Sequence, residues 1–236
     1  MSIKKHIPNT ITCCNLISGC VSIMLLCQNH ILGASAMIFV AAIFDFFDGF
    51  AARALNAKSP IGGELDSLSD VVSFGVAPSF IIAWLLSKSG ITWMIADVNI
   101  FPMLAFILGA FAAVRLAKFN LDTRQTSSFI GLPVPAVGLF IASLPIMLSG
   151  LGESNAISQF VTNPYFLLAM VAVFSWLMIS EVPFFSFKIK NLRFKENILR
   201  YFVVIFAIVA VIILKLVALP FIFLFYILLS VFCYKG

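Results

Sequence analysis

The sequence contains very few charged residues. Only 11% of its 236 residues are Asp, Glu, Lys or Arg, whereas about a quarter of an ordinary globular domain is charged. Hydrophobic residues make up 62%, and the mean hydropathy is +1.11. This composition predicts a polytopic membrane protein. Because a helix needs about 20 residues to cross roughly 30 Å of hydrocarbon, the chain leaves little room for a soluble domain.

Other absences exclude further classes of function. The two histidines, His6 and His30, show no acid–base arrangement, and the five cysteines lack Cys-x-x-Cys spacing, which argues against a zinc site or a disulfide framework. The basic residues form no patch interleaved with aromatics, so we expect no nucleic-acid partner. No small-residue cleavage site follows the first apolar run, and this run is therefore expected to remain as a membrane span.

Apolar runs bounded by charge, proline or glycine predict an all-α fold with about eight transmembrane helices. No internal repeat is present, so the chain is interpreted as a single domain over residues 1–236. The predicted spans are 11–29, 32–53, 66–87, 100–119, 134–151, 164–184, 200–216 and 218–234.

The basic residues divide unequally between the two ends of these spans. Of the 15 lysines and arginines, only Lys88 and Lys215 fall at one face of the membrane, and the others fall at the opposite face. The positive-inside rule therefore predicts that both termini are cytoplasmic. The basic residues between 188 and 195 are expected to attract anionic membrane lipids or to fix this orientation.

Four aspartates interrupt the second and third apolar runs. Asp45 and Asp48 are three residues apart and share a helix face at the end of the second span, and Asp66 and Asp70, four apart, share one at the start of the third. The connector 56–64 contains proline and two glycines and predicts a turn between antiparallel helices. The four carboxylates are therefore expected to converge at the cytoplasmic face.

Such a cluster requires a compensating positive charge. Ionised carboxylates in a membrane cost several kcal/mol each unless they are paired, solvated or bound to metal. Oxygen ligands without Cys or His favour one or two Mg²⁺ or Mn²⁺ ions. Gly49 leaves room for a ligand beside the helix, and the guanidinium of Arg53 suits a phosphate. This combination indicates phosphoryl-group chemistry.

Three alternatives use the same residue types. Acids at the ends of spans are often solvated caps, an interpretation that suits one aspartate better than four on facing helices. An ion-coupled transporter could also keep paired intramembrane acids. Membrane prenyltransferases bind diphosphates through aspartate-rich motifs and magnesium, but they lack the Asp-Gly-x-x-Ala-Arg element found at residues 48–53.

The order of these residues resembles the signature of the CDP-alcohol phosphotransferase family. Residues 45–53 read Asp-x-x-Asp-Gly-x-x-Ala-Arg, and residues 62–70 read Gly-x-x-x-Asp-x-x-x-Asp. The resemblance implies a site for two metal ions built from four aspartates, with the last of them also acting as general base. These residues are Asp45, Asp48, Asp66 and Asp70.

The resemblance also implies a binding site for CDP-diacylglycerol. Gly49 and Arg53 would contact the diphosphate. An early Pro-Asn-x-x-Thr motif, which meets the nucleotide in this family, places Asn9 and Thr12 in the same site. Ser59 occupies a position where relatives can place a Ser or Thr on the donor.

Three further stretches, 9–19, 66–79 and 115–136, resemble the bacterial and archaeal phosphatidylserine synthases of this family. The implied reaction is metal-assisted direct displacement, in which L-serine attacks CDP-diacylglycerol to give phosphatidylserine and CMP. The resemblance further implies a catalytic core over about 1–186, two extra helices over about 200–234, a bacterial inner-membrane location and a homodimer. Family members that use glycerol 3-phosphate or inositol phosphate as acceptor are the nearest alternative.

The serine pocket is predicted from basic residues of the fourth span. The carboxylate of serine needs a cation, and Arg115 is the candidate. Lys118, one turn away, and Asn120 are predicted to belong to the same serine-binding pocket. Membrane topology alone would also place basic residues there. The sequence shows no activated His or Cys nucleophile, which favours a direct displacement over a covalent intermediate. For Glu181, an interhelical hydrogen bond is expected.

Overall fold

The computed structural model describes residues 6–57, 59–122, 128–152, 154–185 and 194–234. Several basic residues on which the orientation depends lie outside these ranges, namely those at positions 4, 5, 58, 124, 188, 190, 193 and 235.

The described residues are almost entirely helical. The α-helices are α1 His6–Cys27, α2 Ile31–Ala54, α3 Pro60–Asp70, α4 Ala77–Ser87, α5 Phe106–Leu121, α6 Val134–Leu151, α7 Ala156–Val161, α8 Pro164–Ile179, α9 Phe194–Leu214 and α10 Leu219–Cys233. A π-helical segment, Val71–Val76, joins α3 to α4, and 3₁₀ segments Phe101–Ala105 and Lys215–Ala218 precede α5 and α10.

Six helical stretches are long and apolar enough to cross a membrane: His6–Cys27, Ile31–Ala54, Pro60–Ser87, Phe101–Leu121, Val134–Leu151 and Ile198–Phe232. The last stretch is divided at Lys215, where φ is +53°. Helices α9 and α10 pack against each other beyond this turn, with the rings of Phe206 and Phe225 stacked at 4.2 Å. The prediction of an all-α, polytopic membrane protein is confirmed.

The connector between α2 and α3 is shorter than predicted. A turn was expected over 56–64, but α3 begins at Pro60. Ser59 explains the difference, because its side chain caps the helix by accepting a hydrogen bond from the Gly62 N–H at 3.1 Å. Proline follows at the first helical position, where its missing N–H is not needed.

The sixth span also ends earlier than predicted. It was expected to reach residue 184, but α8 ends at Ile179, and strand β4 (Pro183–Phe185) follows. β4 pairs antiparallel with β3 (Ser128–Ile130) after α5. No local pattern in the sequence predicts a strand here. The same is true of the two-residue strands β1 (Met94–Ile95) and β2 (Val98–Asn99), which also pair antiparallel.

The π-helical segment forms the centre of the bundle. Three of its consecutive residues pack against small residues of three different helices: Ser73 on Gly19 of α1, Phe74 on Gly138 of α6, and Gly75 on Ala112 of α5. A Cβ at Gly138 would lie 2.8 Å from the Cα of Phe74, closer than side chains normally approach. Small residues at these contacts therefore allow α1, α5 and α6 each to touch the π-helical segment directly. This segment follows Asp70, the last residue of α3.

We expect Gly138→Ala to destabilise the protein, because the added methyl group overlaps backbone that cannot move independently. Overpacking of this kind costs about 1–3 kcal/mol. The measurement is the unfolding free energy in detergent. Gly33→Ala is the matched control, since its Cβ would lie 3.4 Å from the movable Cδ1 of Leu25. Equal stability of the two variants would contradict the tight packing.

Candidate active site

Three of the four signature aspartates meet at one point. Asp45 and Asp48 lie on α2, and Asp66 lies on α3. One carboxylate oxygen from each lies within 4.8 Å of the corresponding oxygens of the other two. The predicted convergence of α2 and α3 is therefore present for these three residues.

The arrangement fits a divalent cation. Oδ2 of Asp48 and Oδ1 of Asp66 are buried and have no hydrogen-bond partner among the described residues. Buried acceptors without a donor are unfavourable, and three carboxylates at this separation repel one another. An oxygen-seeking cation would satisfy both requirements, and the all-carboxylate donor set suits Mg²⁺ or Mn²⁺.

Asp70 lies close to this cluster but is held differently. It is 7% exposed and interacts electrostatically with Asp45, Asp66 and Asp48. Its Oδ1 accepts a hydrogen bond from Nδ2 of Asn15 at 3.1 Å. The structure therefore places Asp70 next to the three converged carboxylates, with one oxygen fixed by α1.

A cavity of about 240 Å³ opens beside the carboxylates. It is lined by residues from α1, α2 and α3, including Asn9, Thr12, Asp48, Gly49, Ser59 and Asp66. The Oδ1 atom of Asn9 lies 3.1 Å from the position that a Cβ at Gly62 would occupy. The residues of α1 predicted to bind the nucleotide thus share one cavity with Asp48 and Asp66, two of the carboxylates predicted to bind metal.

Gly49, in the wall of this cavity, lies beneath the side chain of Arg53. A Cβ at Gly49 would lie 3.5 Å from Nη1 of Arg53, so the guanidinium extends back along α2 over Gly49. Arg53 itself is exposed. An exposed arginine beside a bare stretch of backbone can bind an anion that also reaches the carboxylates, as a metal-bound diphosphate would.

Arg115 lines a second cavity, of about 340 Å³, together with Lys118, Asp122, Ser180 and Glu181. Arg115 is only 4% exposed, and its Nε has no hydrogen-bond partner among the described residues. Its guanidinium lies over the ring of Phe119 at 5.2 Å. A buried cation with an unused donor is suited to an anionic ligand.

The packing of α5 against α3 and the π-helical segment sets the height of Arg115 along the bundle relative to Asp70. Gly75 packs on Ala112, and nearer the end of the bundle the hydroxyl of Ser67 donates to Oδ1 of Asn120 at 3.2 Å. These two contacts fix an antiparallel register. In this register Arg115 comes level with the turn that follows Asp70.

Asn120 does not join Arg115 and Lys118 in the second cavity. Its amide accepts the bond from Ser67 and donates to Oε2 of Glu64 at 3.4 Å, so it ties α5 to α3. The reason is the antiparallel packing of the two helices, which directs this side chain toward α3. Glu64 is exposed and lies outside the converged carboxylates.

Asn15, the hydrogen-bond partner of Asp70, was not among the predicted site residues. A signal was present, because polar and small residues recur on the buried face of α1 at helical spacing: Thr12, Asn15, Ser18, Gly19 and Ser22. This stripe indicates a face packed against other helices. It does not show which of its members faces an aspartate.

Comparison with known proteins agrees with the geometry. The family model described as CDP-alcohol phosphatidyltransferase matches residues 5–187. The chain belongs to this family. Its members generally depend on divalent metal ions, and the cluster of Asp45, Asp48 and Asp66 described above is present in this chain.

Several relatives bear the same name, CDP-diacylglycerol–serine O-phosphatidyltransferase. The protein of that name from Bacillus subtilis is 36% identical, with 78% of this chain aligned to 92% of the relative. The one from Mycobacterium leprae is 30% identical over 97% of this chain and 72% of its own length. The one from Methanocaldococcus jannaschii is 31% identical over 78% of this chain and 76% of its own length.

We expect Mn²⁺ to raise the thermal unfolding midpoint of this family member in detergent, since a cation bound only to the folded state stabilises it. At a hundredfold excess over Kd the gain is about 2.7 kcal/mol. Asp48→Asn should remove most of the shift, because it replaces a charged ligand with a neutral amide.

Glu64→Gln provides the matched control for this measurement. Glu64 is another acid on α3, but its carboxylate lies outside the cluster and bonds to Asn120. This variant should retain the full Mn²⁺-induced shift. If Mn²⁺ raises the unfolding midpoint of Asp48→Asn as far as that of the wild-type protein, the cation does not bind at the three carboxylates.

Proposed function

We propose that this protein transfers the phosphatidyl group of CDP-diacylglycerol to the hydroxyl of L-serine, releasing phosphatidylserine and CMP. The observation that carries the proposal is the convergence of Asp45, Asp48 and Asp66 beside a cavity that also contains Gly49 and the nucleotide-binding motif of α1. Relatives named for this reaction, which align with most of the chain, support serine as the acceptor.

The four aspartates are proposed to hold two Mg²⁺ or Mn²⁺ ions at the diphosphate. When bound, these ions neutralise the diphosphate and stabilise the charge on departing CMP. Asn9, Thr12, Gly49, Arg53 and Ser59 are proposed to bind the cytidine diphosphate part of the donor. Four of these line the cavity, and Arg53 lies over Gly49.

Asp70 is proposed to accept the proton of the serine hydroxyl. As the proton moves to a carboxylate oxygen, the serine oxygen forms a bond to the β-phosphorus of the donor. The bond between that phosphorus and the oxygen bridging to CMP breaks, and its electron pair leaves with CMP. Burial of Asp70 keeps bulk water from competing for the same position.

Arg115 is proposed to bind the serine carboxylate, with Lys118 in the same cavity. The burial of Arg115 and its unused Nε support this role. Asn120 is proposed to hold α5 against α3 and so to keep Arg115 level with Asp70, through its bonds to Ser67 and Glu64.

The setting of the reaction is part of the same proposal. The site would face the cytoplasm of a bacterial inner membrane, with both termini on that side, because this orientation follows the distribution of basic residues in the sequence. One domain over 1–236 would comprise a catalytic core over about 1–186 and a C-terminal hairpin over about 200–234. Pairing of two copies rests on the family resemblance alone and stays a prediction.

Purified protein supplied with CDP-diacylglycerol and Mg²⁺ or Mn²⁺ should release CMP when L-serine is added. Asp70→Asn should lower the rate at least about a hundredfold, because general-base catalysis contributes roughly 10²–10⁴. Asp97→Asn, a substitution of the same type in the exposed β1–β2 turn, should leave the rate unchanged.

The acceptor that supports CMP release distinguishes the activities found within the family. CMP release with glycerol 3-phosphate or inositol phosphate, and none with serine, would overturn the substrate while keeping the chemistry. No metal-dependent CMP release with any acceptor, from protein with a normal unfolding midpoint, would overturn the proposed activity.

Substitution of Arg115 tests the serine pocket separately. Arg115→Met should raise the KM for serine about tenfold or more, since hydrogen bonds to charged groups contribute about 1.5–3 kcal/mol. The KM for CDP-diacylglycerol should not change. Lys88→Met, at the far end of α4, serves as the control. An unchanged KM for serine in Arg115→Met would place the carboxylate elsewhere.

A further inference from the structure

Asn15 is a fully buried amide in the middle of the first membrane span. Its Nδ2 donates to Oδ1 of Asp70 at 3.1 Å, across 55 residues of sequence. Among the described residues, Asn15 is the only side chain or backbone group that donates to Asp70. Because the Asn15 side chain is an uncharged amide, it changes neither the net charge of the aspartate cluster nor the number of carboxylates available to a metal ion.

The position of Asn15 is itself fixed by neighbouring contacts. The hydroxyl of Ser73 donates to the backbone carbonyl of Asn15 at 2.9 Å. The hydroxyl of Ser69 lies 3.3 Å from the carbonyl of Thr12 and shares its proton with the nearer carbonyl of Leu65, at 2.8 Å. Gly19, one turn further along α1, brings the helix into direct contact with the backbone of Ser73. The amide therefore has little freedom to move relative to Asp70.

We propose that Asn15 is a positioning residue that fixes the orientation of the Asp70 carboxylate, so that its second oxygen can accept the serine proton. The terminal torsion of an aspartate is broad, so a carboxylate without a hydrogen-bond donor samples many orientations. The bond from Asn15 to one oxygen restricts this torsion and leaves the other oxygen as the proton acceptor. This inference rests on the proposed function, since it concerns the orientation of the proposed base.

The test is a set of steady-state and binding measurements on Asn15→Leu, which keeps the approximate size of the side chain and removes its donor. The kcat for serine-dependent CMP release should fall about tenfold to a hundredfold, the usual effect of losing a group that orients a catalytic residue. The KM values for both substrates and the Mn²⁺-induced unfolding shift should stay within twofold, because Asn15 does not line the cavity and the substitution leaves all four carboxylates in place.

Two further variants separate this role from a structural one. Ser22→Ala removes another buried hydrogen bond of α1, from the Ser22 hydroxyl to the carbonyl of Ala34, and should retain the wild-type kcat. Asn15→Ser is compatible with a helix that already carries Ser18, and its hydroxyl is too short to reach Asp70. The kcat of Asn15→Ser should fall by the same tenfold to hundredfold as that expected for Asn15→Leu. This variant therefore tests the proposal even if the leucine variant does not fold.

Different results would overturn different statements. A wild-type kcat in folded Asn15→Leu or Asn15→Ser would remove the role of Asn15 and leave the proposed function intact. The positioning role of Asn15 would also be contradicted if the kcat of Ser22→Ala fell as far as that of the Asn15 variants. A Mn²⁺-induced unfolding shift that fell in parallel with kcat in those variants would contradict it as well. A wild-type protein that released no CMP with serine would remove the proposed function and this inference together.

Discussion

The mutual repulsion of carboxylates in an apolar bundle is the constraint on which the rest of this structure depends. Three acids within 4.8 Å of one another, at the ends of membrane-spanning helices, stay ionised only with a counter-charge. The surrounding residues leave space for one, because Gly49 and Gly62 keep side chains out of the adjacent cavity. The carboxylates, the cavity and the two glycines therefore all serve to accommodate a positive charge.

The fold supplies this site through ordinary helix chemistry. Ser59 and Pro60 start α3 abruptly, so that only a short turn separates it from α2. This brings Asp66 opposite Asp45 and Asp48. Helix α1 then packs along both helices and contributes Asn9, Thr12 and Asn15 at successive turns of one face. Three helices near the amino terminus thus provide nearly all the residues of the proposed metal and nucleotide sites.

The features that the sequence predicted are those encoded by local spacing. Intervals of three and four residues place Asp45 with Asp48 and Asp66 with Asp70, and hydropathy locates the helices. Features that depend on contacts between distant segments were not predictable. The pairing of β3 with β4, the early end of α8 and the bond from Asn15 to Asp70 each require the register between two elements, which no local pattern contains. Asn120 illustrates the same limit, since its neighbours in sequence line one cavity and it faces another helix.

The packing at the π-helical segment has a consequence for how such sequences can change. Ser73, Phe74 and Gly75 each meet a different helix, with essentially no space at Gly19 or Gly138 for a larger side chain. A larger residue at position 19 would meet the Cα and backbone nitrogen of Ser73, and one at position 138 would meet the Cα and carbonyl oxygen of Phe74. No side-chain replacement at position 73 or 74 removes these backbone contacts. Related sequences should therefore keep glycine at both positions even where their partners differ, and the closest helix contacts of the bundle would be recorded as constant residues.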